Sequence, residues 1–515
     1  MQFQAGAPYS NVMINVVWLK RDLRLFDNAP LVSANRCALE GRHKLLIVYI
    51  IEDEYWKLEE HSYRQWEFIK QSLLEMRGSL RDVSKQNIVV LRGDTIQCFA
   101  DLHQHFGINA VYSHEETGID WTFQRDIKVA KFLTKIGVPW HQHSNGGVIR
   151  KLKSRNDWKQ LQERRLIQNC VPEPSNYASP PDHNFPDAVL TDFTLDTTFA
   201  QQVQQGGRRA GTAVLESFLS DRARKYQKSI SKPGLARDNC SRLSPHLSFG
   251  TLSIREVMQA TWSAMRNAKQ ENDWILRKNL AAFQSRLHWH CHFIQKLEDQ
   301  PEIEFRCMHS AFEGMREPHH REDRLEGWRN GQTGYPFVDA CMRSLIQTGY
   351  LNFRMRAMLV SFAAYHLFLD WRKLNPILAA LFTDYEPGIH ISQLQMQSGV
   401  TGINALRIYN PVKQGLDHDP RGDFIREFVP EVRHLTDEEI HLPSNIYTQP
   451  IVELSPSLKF AREAISKVRK SDNFRTIAQG VYNKLGSRKQ RSFRQSNQQP
   501  VLLTREQITS FKTKK

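Results

Sequence analysis

The side chains best suited to chemistry are concentrated in residues 328–432 of this chain. This stretch reads WRNGQTGYPFVDACMRSLIQTGYLNFRMRAML, then LFLDWR, then DYEPGIHISQLQMQSG and finally RIYNPVKQGLDHDPRGDFIREFVPEV. Aromatic residues, arginines and acids are dense here, and signals for long loops are few. One interpretation is a buried helical core with surface charges. The other is a cup of helices around a large aromatic cofactor.

A second candidate site is the stretch RDNCSRLSPHLSFG around residue 240. It offers hydroxyls and backbone amides at the start of a predicted helix, an arrangement that can hold a phosphate through N–H groups and the helix dipole. A Ser-Pro turn on its own is usually only a helix cap. Together with the arginines and acids further along the chain, it indicates a phosphate-bearing cofactor.

The cluster His288, His290, Cys291 and His292 raises the possibility of a metal site. On a helix, His288 and His292 share a face, whereas His290 points elsewhere. No second ligand pair with zinc-like spacing accompanies them. A polar patch lining a cofactor or substrate cavity fits this pattern better, and we predict no metal site.

Two common enzyme classes find no local motif in the chain. There is no GxSxG elbow and no GxxxxGK[ST] loop. Hydrolase and nucleotide-triphosphatase interpretations therefore lack support.

Charge is distributed unevenly over the 515 residues. The formal net charge is +15, and residues 455–515 carry 15 Lys and Arg against 3 Asp and Glu. A basic tail favours a polyanion such as nucleic acid, although it could equally serve only solubility. The 40% hydrophobic and 24% charged composition is that of a globular protein with a substantial core.

The sequence predicts a reducing compartment without a membrane. Its seven cysteines are scattered, with no CxxC. No apolar run approaches the ~20 residues that span a bilayer, and the N-terminus does not resemble a signal peptide. We therefore expect a cytoplasmic protein if the source is bacterial, or a nuclear one if it is eukaryotic.

The first third of the chain alternates strand-like and helix-like segments. Helical patterns at 62–78 and 123–136 separate apolar, β-branched runs at 15–19, 44–51, 87–91, 110–112 and 138–141. Continuous apolar strands alternating with helices predict a parallel sheet covered on both faces. Residues 13–145 are thus predicted to form a doubly wound α/β domain.

The first strand lacks the usual dinucleotide fingerprint, because no GxGxxG follows it. It is followed instead by Lys20, Arg21 and Arg24, at the end that faces the ligand crevice in open sheets. These residues could bind an anion, contact another domain or form a salt-bridged turn.

The rest of the chain divides into three predicted parts. Residues 146–207 form a connector, rich in Pro, Ser, Asp and Thr from 171 to 205. Helical periodicity dominates residues 208–470, which predicts an almost all-α domain. Residues 471–515 are predicted to be a basic, disordered tail.

Taken together, these stretches resemble the photolyase/cryptochrome family over roughly residues 13–470. WLKRDLRLFDNAPL is similar to the family's opening strand and loop, and CSRLSPHLSFG to its flavin-phosphate turn. WRNGQTGYPFVDACMR, TGYLNFRMR, LDWR and the RIYNPVKQ…FIREFVPE run follow the family's order and spacing.

The resemblance implies an N-terminal α/β domain joined to a helical domain that binds FAD. It places Arg356 and Asp384 as a buried pair beside the isoalloxazine, where a fixed charge pair tunes flavin redox chemistry. Trp289 is expected at the cavity mouth. The residues implied as cofactor-binding are Tyr226, Cys240, Ser241, Arg242, Leu243, Ser244, Arg286, Trp289, Arg356, Asp384, Tyr385, Glu386 and His390. The residues implied as catalytic are Trp289, His390 and Trp371.

The resemblance implies a light-driven function. A photolyase repairs UV-induced pyrimidine dimers flipped out of DNA by electron transfer from reduced flavin, which suits a deep cavity with an aromatic rim and a basic surround. The alternatives are a cryptochrome-type photoreceptor and a flavoprotein that binds DNA without repairing it. A second, antenna chromophore of unknown identity is possible, with Glu116 as a candidate contact. We expect a monomer.

Several positions depart from the family pattern beside the flavin. His390 takes the place of the asparagine opposite flavin N5, and a histidine titrating near neutral pH would make this hydrogen bond depend on protonation. Leu394 and Pro318 replace two members of the three-tryptophan reduction chain, and Trp371 alone is kept. Tyr385, Trp328 or another aromatic residue could supply a different relay.

The expected substrate pocket departs as well. Arg286, Phe353, Ala357 and Met396 stand where the family has Glu, Asn, Met and Trp, and neither histidine of the (6-4) photolyases is present. An iron–sulfur cluster is excluded, because no cysteine follows Cys341.

Overall fold

The computed structural model describes residues 13–181, 190, 193, 195, 203–442 and 447–487. Its only sheet within these residues has five parallel strands in the order β3-β2-β1-β4-β5. The strands are β1 (Ile14–Leu19), β2 (Lys44–Ile51), β3 (Ile88–Arg92), β4 (Ile108–His114) and β5 (Trp140–His143). The strand order reverses beside β1, at its boundary with β4, as expected of a doubly wound sheet.

Five helices connect the strands and cover both faces of the sheet. They are α1 (Ala29–Gly41), α2 (Asp53–Trp56), α3 (Tyr63–Val83), α4 (Thr95–Phe106) and α5 (Asp120–Lys135). Alternate residues of β1 point to opposite faces: Val17 packs in one cluster with residues of α1 and α3, and Trp18 in another with residues of α4 and α5. The predicted doubly wound α/β fold is confirmed.

The predicted connector is more structured than its composition indicates. It contains a helix, α6 (Trp158–Leu166), and then returns to the sheet, where Leu45 donates a backbone hydrogen bond to Ser179 at 3.0 Å. Ala178 is buried against the same side of the sheet. Most of residues 182–202 lie outside the described residues.

The remainder of the described chain is helical. The helices are α7 (Arg208–Ser220), α8 (Tyr226–Ser229), α9 (Pro233–Asn239), α10 (Ser244–Ser248), α11 (Ile254–Gln270), α12 (Trp274–Asp299), α13 (Glu322–Arg329), α14 (Pro336–Thr348), α15 (Phe353–Ser361), α16 (Trp371–Leu381), α17 (Pro387–Gln397), α18 (Pro411–His418), α19 (Asp423–Phe428), α20 (Leu454–Arg469) and α21 (Phe474–Leu485). Proline begins α14, α17 and α18, where its missing N–H costs no hydrogen bond. The predicted helical domain is confirmed as a fold class, whereas the predicted boundaries at residues 145, 207 and 470 stay predictions.

The prediction that disorder begins at residue 471 was wrong for Phe474–Leu485, which is helix α21. Phe474 stacks on His309 with ring centroids 4.1 Å apart, and its carbonyl bonds to the same imidazole at 3.0 Å. Leu485 is fully buried. The basic residues 488–515 lie outside the described residues.

The loop after β1 joins the two halves of the molecule. Arg21 donates to the carbonyl of Ser248 at 3.0 Å and to that of Tyr385 at 2.7 Å, and Arg24 donates to that of Gly250 at 3.0 Å. Lys20 forms an ion pair with Asp126 at 3.1 Å. Of the three predicted roles for these cations, the structure therefore supports the domain contact and the salt-bridged turn.

Candidate functional site

The first feature of the helical half that could meet a cofactor is a bidentate ion pair. Arg356, from α15, donates to the Asp384 carboxylate at 3.0 and 2.9 Å. Arg356 also lies over the Phe382 ring at 3.9 Å. The Arg356 charge and a hydrogen bond from Ser244 hold the pKa of Asp384 below its usual range, although burial opposes them. Asp384 is thus ionised at every physiological pH.

The turn at residues 240–244 lies beside this pair and exposes unused backbone donors. Arg242 lies in the left-handed region (φ 58°) and Leu243 in the right-handed region (φ −89°). Alternating these two conformations directs successive N–H groups to one side and makes an anion-binding concavity. Within the described chain, the amides of Ser241, Arg242 and Leu243 donate no hydrogen bond.

Arg242 is itself held firmly in this turn. Its guanidinium stacks on Tyr350 at 3.6 Å and donates to Gln204 at 3.1 Å, and its carbonyl accepts from Gln204 at 2.8 Å. Burial raises the pKa of the Cys240 thiol to about 12, which keeps it protonated. The turn therefore offers amides and a cation, but no anion, to a phosphate.

His390 lies on α17, the helix that begins shortly after Asp384. Its Nε2 atom bonds to the carbonyl of Asn375 at 3.2 Å. Because a carbonyl only accepts, Nε2 carries the proton and Nδ1 has a free lone pair. Burial lowers the pKa of His390 to about 4. The expectation that this histidine titrates near neutral pH was therefore wrong: it is neutral throughout the physiological range.

Two further predicted cofactor residues lie at the junction of the two halves. Glu386 forms an ion pair with Arg21 at 3.2 Å, and burial raises the pKa of Glu386 to about 7. The ring of Tyr385 packs edge-on against His390 with centroids 5.3 Å apart. Neither the Tyr385–Arg21 contact nor the Glu386–Arg21 pair could be read from the sequence, because Arg21 lies more than 360 residues away.

The predicted mouth residues lie on α12. Trp289 is 38% exposed, and Arg286 lies over its ring at 5.7 Å. Burial raises the pKa of the Tyr226 hydroxyl, and the nearby Arg286 charge opposes this shift. Phe353, at the start of α15, is 49% exposed. The side chains of Trp289, Arg286 and Phe353, here called the rim, present aromatic surface and positive charge to solvent.

Trp371, the third predicted catalytic residue, is not part of this rim. It is completely buried in the helical core and lies under the Arg372 guanidinium at 4.9 Å. Trp371 and His390 are linked indirectly through α16. Asn375, whose carbonyl bonds to His390, lies one turn after Trp371 on that helix.

The His288–His292 cluster diverges rather than converging. His288 bonds to Gln162 at 3.1 Å and His292 accepts from Arg155 at 2.8 Å, both in the segment preceding α7. His290 and Cys291 line a cleft between β1 and α12. Across the described residues, no group of three His, Cys, Asp or Glu is placed to hold a metal ion. Nor does any described helix have the length and apolar content to cross a bilayer.

Comparison with known proteins defines the class. The family profile described as the FAD binding domain of DNA photolyase matches residues 283–467, and the DNA photolyase profile matches residues 15–157. The chain belongs to the photolyase/cryptochrome family.

Individual relatives are distant but cover most of the chain. The deoxyribodipyrimidine photo-lyase of Halobacterium salinarum is 28% identical, covering 83% of this chain and 91% of that protein. Cryptochrome-2 of Arabidopsis thaliana is 25% identical, covering 88% and 79%. The crystal structure of a bacterial class III photolyase from Agrobacterium tumefaciens matches with a TM-score of 0.77 at 24% identity, covering 91% of this chain and all of that one.

The site's own donors fit FAD, the cofactor of this family. The free amides at residues 241–243 and the Arg242 cation suit its phosphates. The Arg356–Asp384 pair and the neutral His390 present fixed charge and a free lone pair where a flavin ring needs polar partners. The individual contacts remain predictions, since they rest on the family resemblance.

Proposed function

We propose that this chain is a FAD-dependent DNA photolyase driven by blue light. The observation that carries the proposal is the rim, where the exposed indole of Trp289 lies beside the Arg286 guanidinium. An exposed aromatic face can stack on a base that has left the duplex, and a neighbouring cation can hold its backbone phosphate. Its substrate is DNA that carries UV-induced pyrimidine dimers.

When bound here in its reduced form, FAD would supply the light-driven electron donor for splitting the dimer. The chain's own residues position and insulate that chemistry. Arg356 and Asp384 fix each other by two hydrogen bonds, so that a charged pair is present without rearrangement. His390 stays neutral and adds no charge.

A photoreceptor without repair activity is the second candidate, of the kind called cryptochrome. It is favoured by the pocket, where Arg286, Phe353, Ala357 and Met396 differ from the family's substrate-contacting residues. Arg286 introduces a positive charge where the family has a carboxylate. Repair and signalling therefore have to be separated by experiment.

The test is repair of defined lesions by the chemically reduced protein. DNA carrying cyclobutane dimers or (6-4) products, single- or double-stranded, is illuminated with the reduced protein and lesion loss is measured. We expect loss of at least one lesion type in light and none in darkness. If no lesion is lost from any of these substrates, the proposal is contradicted and the photoreceptor function is favoured.

Trp289→Ala supplies the residue-level test. Because stacking on an aromatic side chain contributes ~1–3 kcal/mol per base, we expect repair at limiting DNA to fall by about tenfold or more. FAD content should not change. Trp274→Ala is the matched control, since Trp274 is 57% exposed at the start of the same helix and away from the rim. Equal losses in both variants would contradict the role of Trp289.

For the second chromophore, we propose the cleft between β1, β4 and α12. It lies at the point where the strand order reverses, the usual ligand position in open α/β sheets. Its free volume is about 90 Å³, so partly exposed rim residues such as Arg150 must move for binding. Glu116 is already held by Lys20 and Arg125, at 3.5 and 2.6 Å. Absorbance that persists after FAD is accounted for would reveal this chromophore.

The remaining proposals concern the assembly and its location. We propose that the protein acts as a monomer on DNA, in the bacterial cytoplasm or the eukaryotic nucleus. The seven free cysteines of the chain, all described, support a reducing compartment. Light scattering of the purified protein, alone and with DNA, tests the monomer.

A further inference from the structure

A continuous series of aromatic rings runs from His390 to the surface of the α/β domain. Tyr385 packs against His390 with centroids 5.3 Å apart, and against His61 at 6.0 Å. His61 packs against Tyr55 at 4.0 Å, and Tyr55 against Trp121 at 5.3 Å. The series crosses from the helical half to the sheet half of the molecule, because Tyr385 precedes α17 whereas Tyr55 and Trp121 follow β2 and β4.

The outer end of this series opens into a large acidic pocket. Trp121 is partly exposed and lines a cavity of about 740 Å³ at the carboxyl ends of β2 and β3. The acidic residues around this cavity are Glu52, Asp53, Glu54, Glu60, Asp94, Asp120 and Glu304. Of its two cations, Arg125 lies over the Trp121 ring at 5.9 Å, but it is neutralised by ion pairs to Glu52, Glu116 and Asp126. Excess negative charge stabilises a positive charge on the Trp121 ring.

The inner part of the series contains an unmatched donor and an unmatched acceptor. Within the described residues, the buried hydroxyl of Tyr385 and the Nε2 atom of His61 have no hydrogen-bond partner. His61 Nδ1 bonds to the Gln65 side-chain oxygen at 3.1 Å, so Nε2 holds a free lone pair. Burial lowers the pKa of His61 to about 4, so the ring is neutral and adds no charge to the series.

The tryptophan kept from the family's chain offers no comparable route. Trp371 is completely buried, so a reductant in solvent cannot reach its ring. Across the described residues, it takes part in none of the ring contacts that lead from Tyr385 to Trp121.

We propose that Tyr385, Tyr55 and Trp121 form the electron relay that reduces the flavin of this protein from a thiol in solvent. The inference rests on the proposed position of the flavin beside His390, and is independent of DNA repair. Electron transfer between rings falls steeply with distance, so a series of rings in contact outcompetes a route with gaps. The acidic pocket gives the relay its direction, because the electron vacancy moves towards negative charge.

The transfer balances as follows. Tyr385 gives one electron to the photoexcited flavin and is refilled from Tyr55, which is refilled from Trp121. At the end of the transfer both tyrosines are neutral with their phenolic protons, and Trp121 is left as a radical cation. A thiol in the pocket then reduces Trp121 and releases its proton to water. Two such turns oxidise two thiols, which join as a disulfide.

The test follows the radical rather than the repair reaction. The oxidised FAD-containing protein is excited by a blue laser flash, and transient absorption and electron paramagnetic resonance identify the radical. We expect a tryptophan radical in the unchanged protein, a tyrosine radical only in Trp121→Phe, and neither in Tyr385→Phe. Steady reduction with dithiothreitol should slow by about tenfold or more in both variants.

Trp140→Phe is the matched control, because Trp140 is half-buried in the same domain and packs on Trp18, away from the relay. Its radical and reduction rate should be unchanged. As a second measurement, the unchanged protein is illuminated without thiol and digested. Mass spectrometry should find oxidation at Trp121 and none at Trp140.

Normal reduction in Trp121→Phe together with its loss in Trp371→Phe would overturn the proposal. FAD content and thermal unfolding distinguish this result from misfolding. Repair by dithionite-reduced Trp121→Phe should equal that of the unchanged protein, since the relay is bypassed. If neither the unchanged protein nor Trp121→Phe repairs DNA, the photolyase function is contradicted. The conclusion about the relay, which rests on the radical measurement, is unaffected.

Discussion

The residue types were enough to predict the polar centre of the site. The protonation state of its histidine depends on burial and on hydrogen-bond partners. Arg356 and Asp384 were expected as a pair, and the structure places them in bidentate contact. The near-neutral titration expected of His390 was wrong, because a histidine's pKa depends on burial and on partners that sequence does not show. The tautomer of His390, which is set by the Asn375 carbonyl, could not be predicted from the sequence either.

Asp384→Asn tests the pair at the scale of one residue. The substitution removes the negative charge that pairs with Arg356. Asp384 is nearly buried, and breaking such a pair costs about 3–5 kcal/mol. We expect loss of FAD on gel filtration and a lower thermal midpoint. Glu427→Gln is the matched control: it breaks another bidentate arginine pair, with Arg237, but an exposed one worth at most ~1 kcal/mol. Equal effects of the two substitutions would contradict a special role for Asp384.

At the scale of elements, the sheet was predictable and some helices were not. The predicted strand 44–51 coincides with β2, and the other four strands differ by a few residues at their ends. Continuous apolar runs identify buried parallel strands because both faces are covered. Helix α21 was missed because its stability comes from Phe474 stacking on His309, a contact between residues 165 positions apart. Polar composition alone cannot reveal such a contact.

Gly250→Ala tests the junction between the β1 loop and the helical half. Gly250 has φ +68°, and a Cβ atom there would lie 2.3 Å from the Arg21 carbonyl oxygen and 2.6 Å from the Asp22 Cα. Backbone atoms cannot move aside, so we expect a loss of more than ~1 kcal/mol in the free energy of unfolding. Gly234→Ala, in helix α9 with nothing within 4 Å, should change it by less than ~1 kcal/mol. Urea unfolding measures both, and an intact Gly250→Ala protein would show that the junction tolerates displacement.

At the scale of the whole molecule, charge is concentrated in residues 488–515. Residues 488–515 contain 8 Lys and Arg and a single acid. The acidic pocket at Trp121, in contrast, disfavours DNA on that side of the sheet domain. DNA is therefore expected to approach the rim at Trp289 and Arg286, with the basic end of the chain adding affinity that does not depend on sequence.

Removing residues 488–515 tests that contribution. Each phosphate contact adds about 0.9 to the slope of log affinity against log salt on duplex DNA, so the truncated protein should bind more weakly at low salt and show a shallower slope. FAD content and thermal midpoint should stay the same, because α21 remains. Replacing the eight Lys and Arg by Gln in the 515-residue chain is the charge control and should reproduce the loss of affinity.

Truncation after residue 470 should additionally lower the thermal midpoint, since it removes the Phe474–His309 contact. Unchanged affinity and slope in the shorter truncation would show that the helical half alone binds DNA.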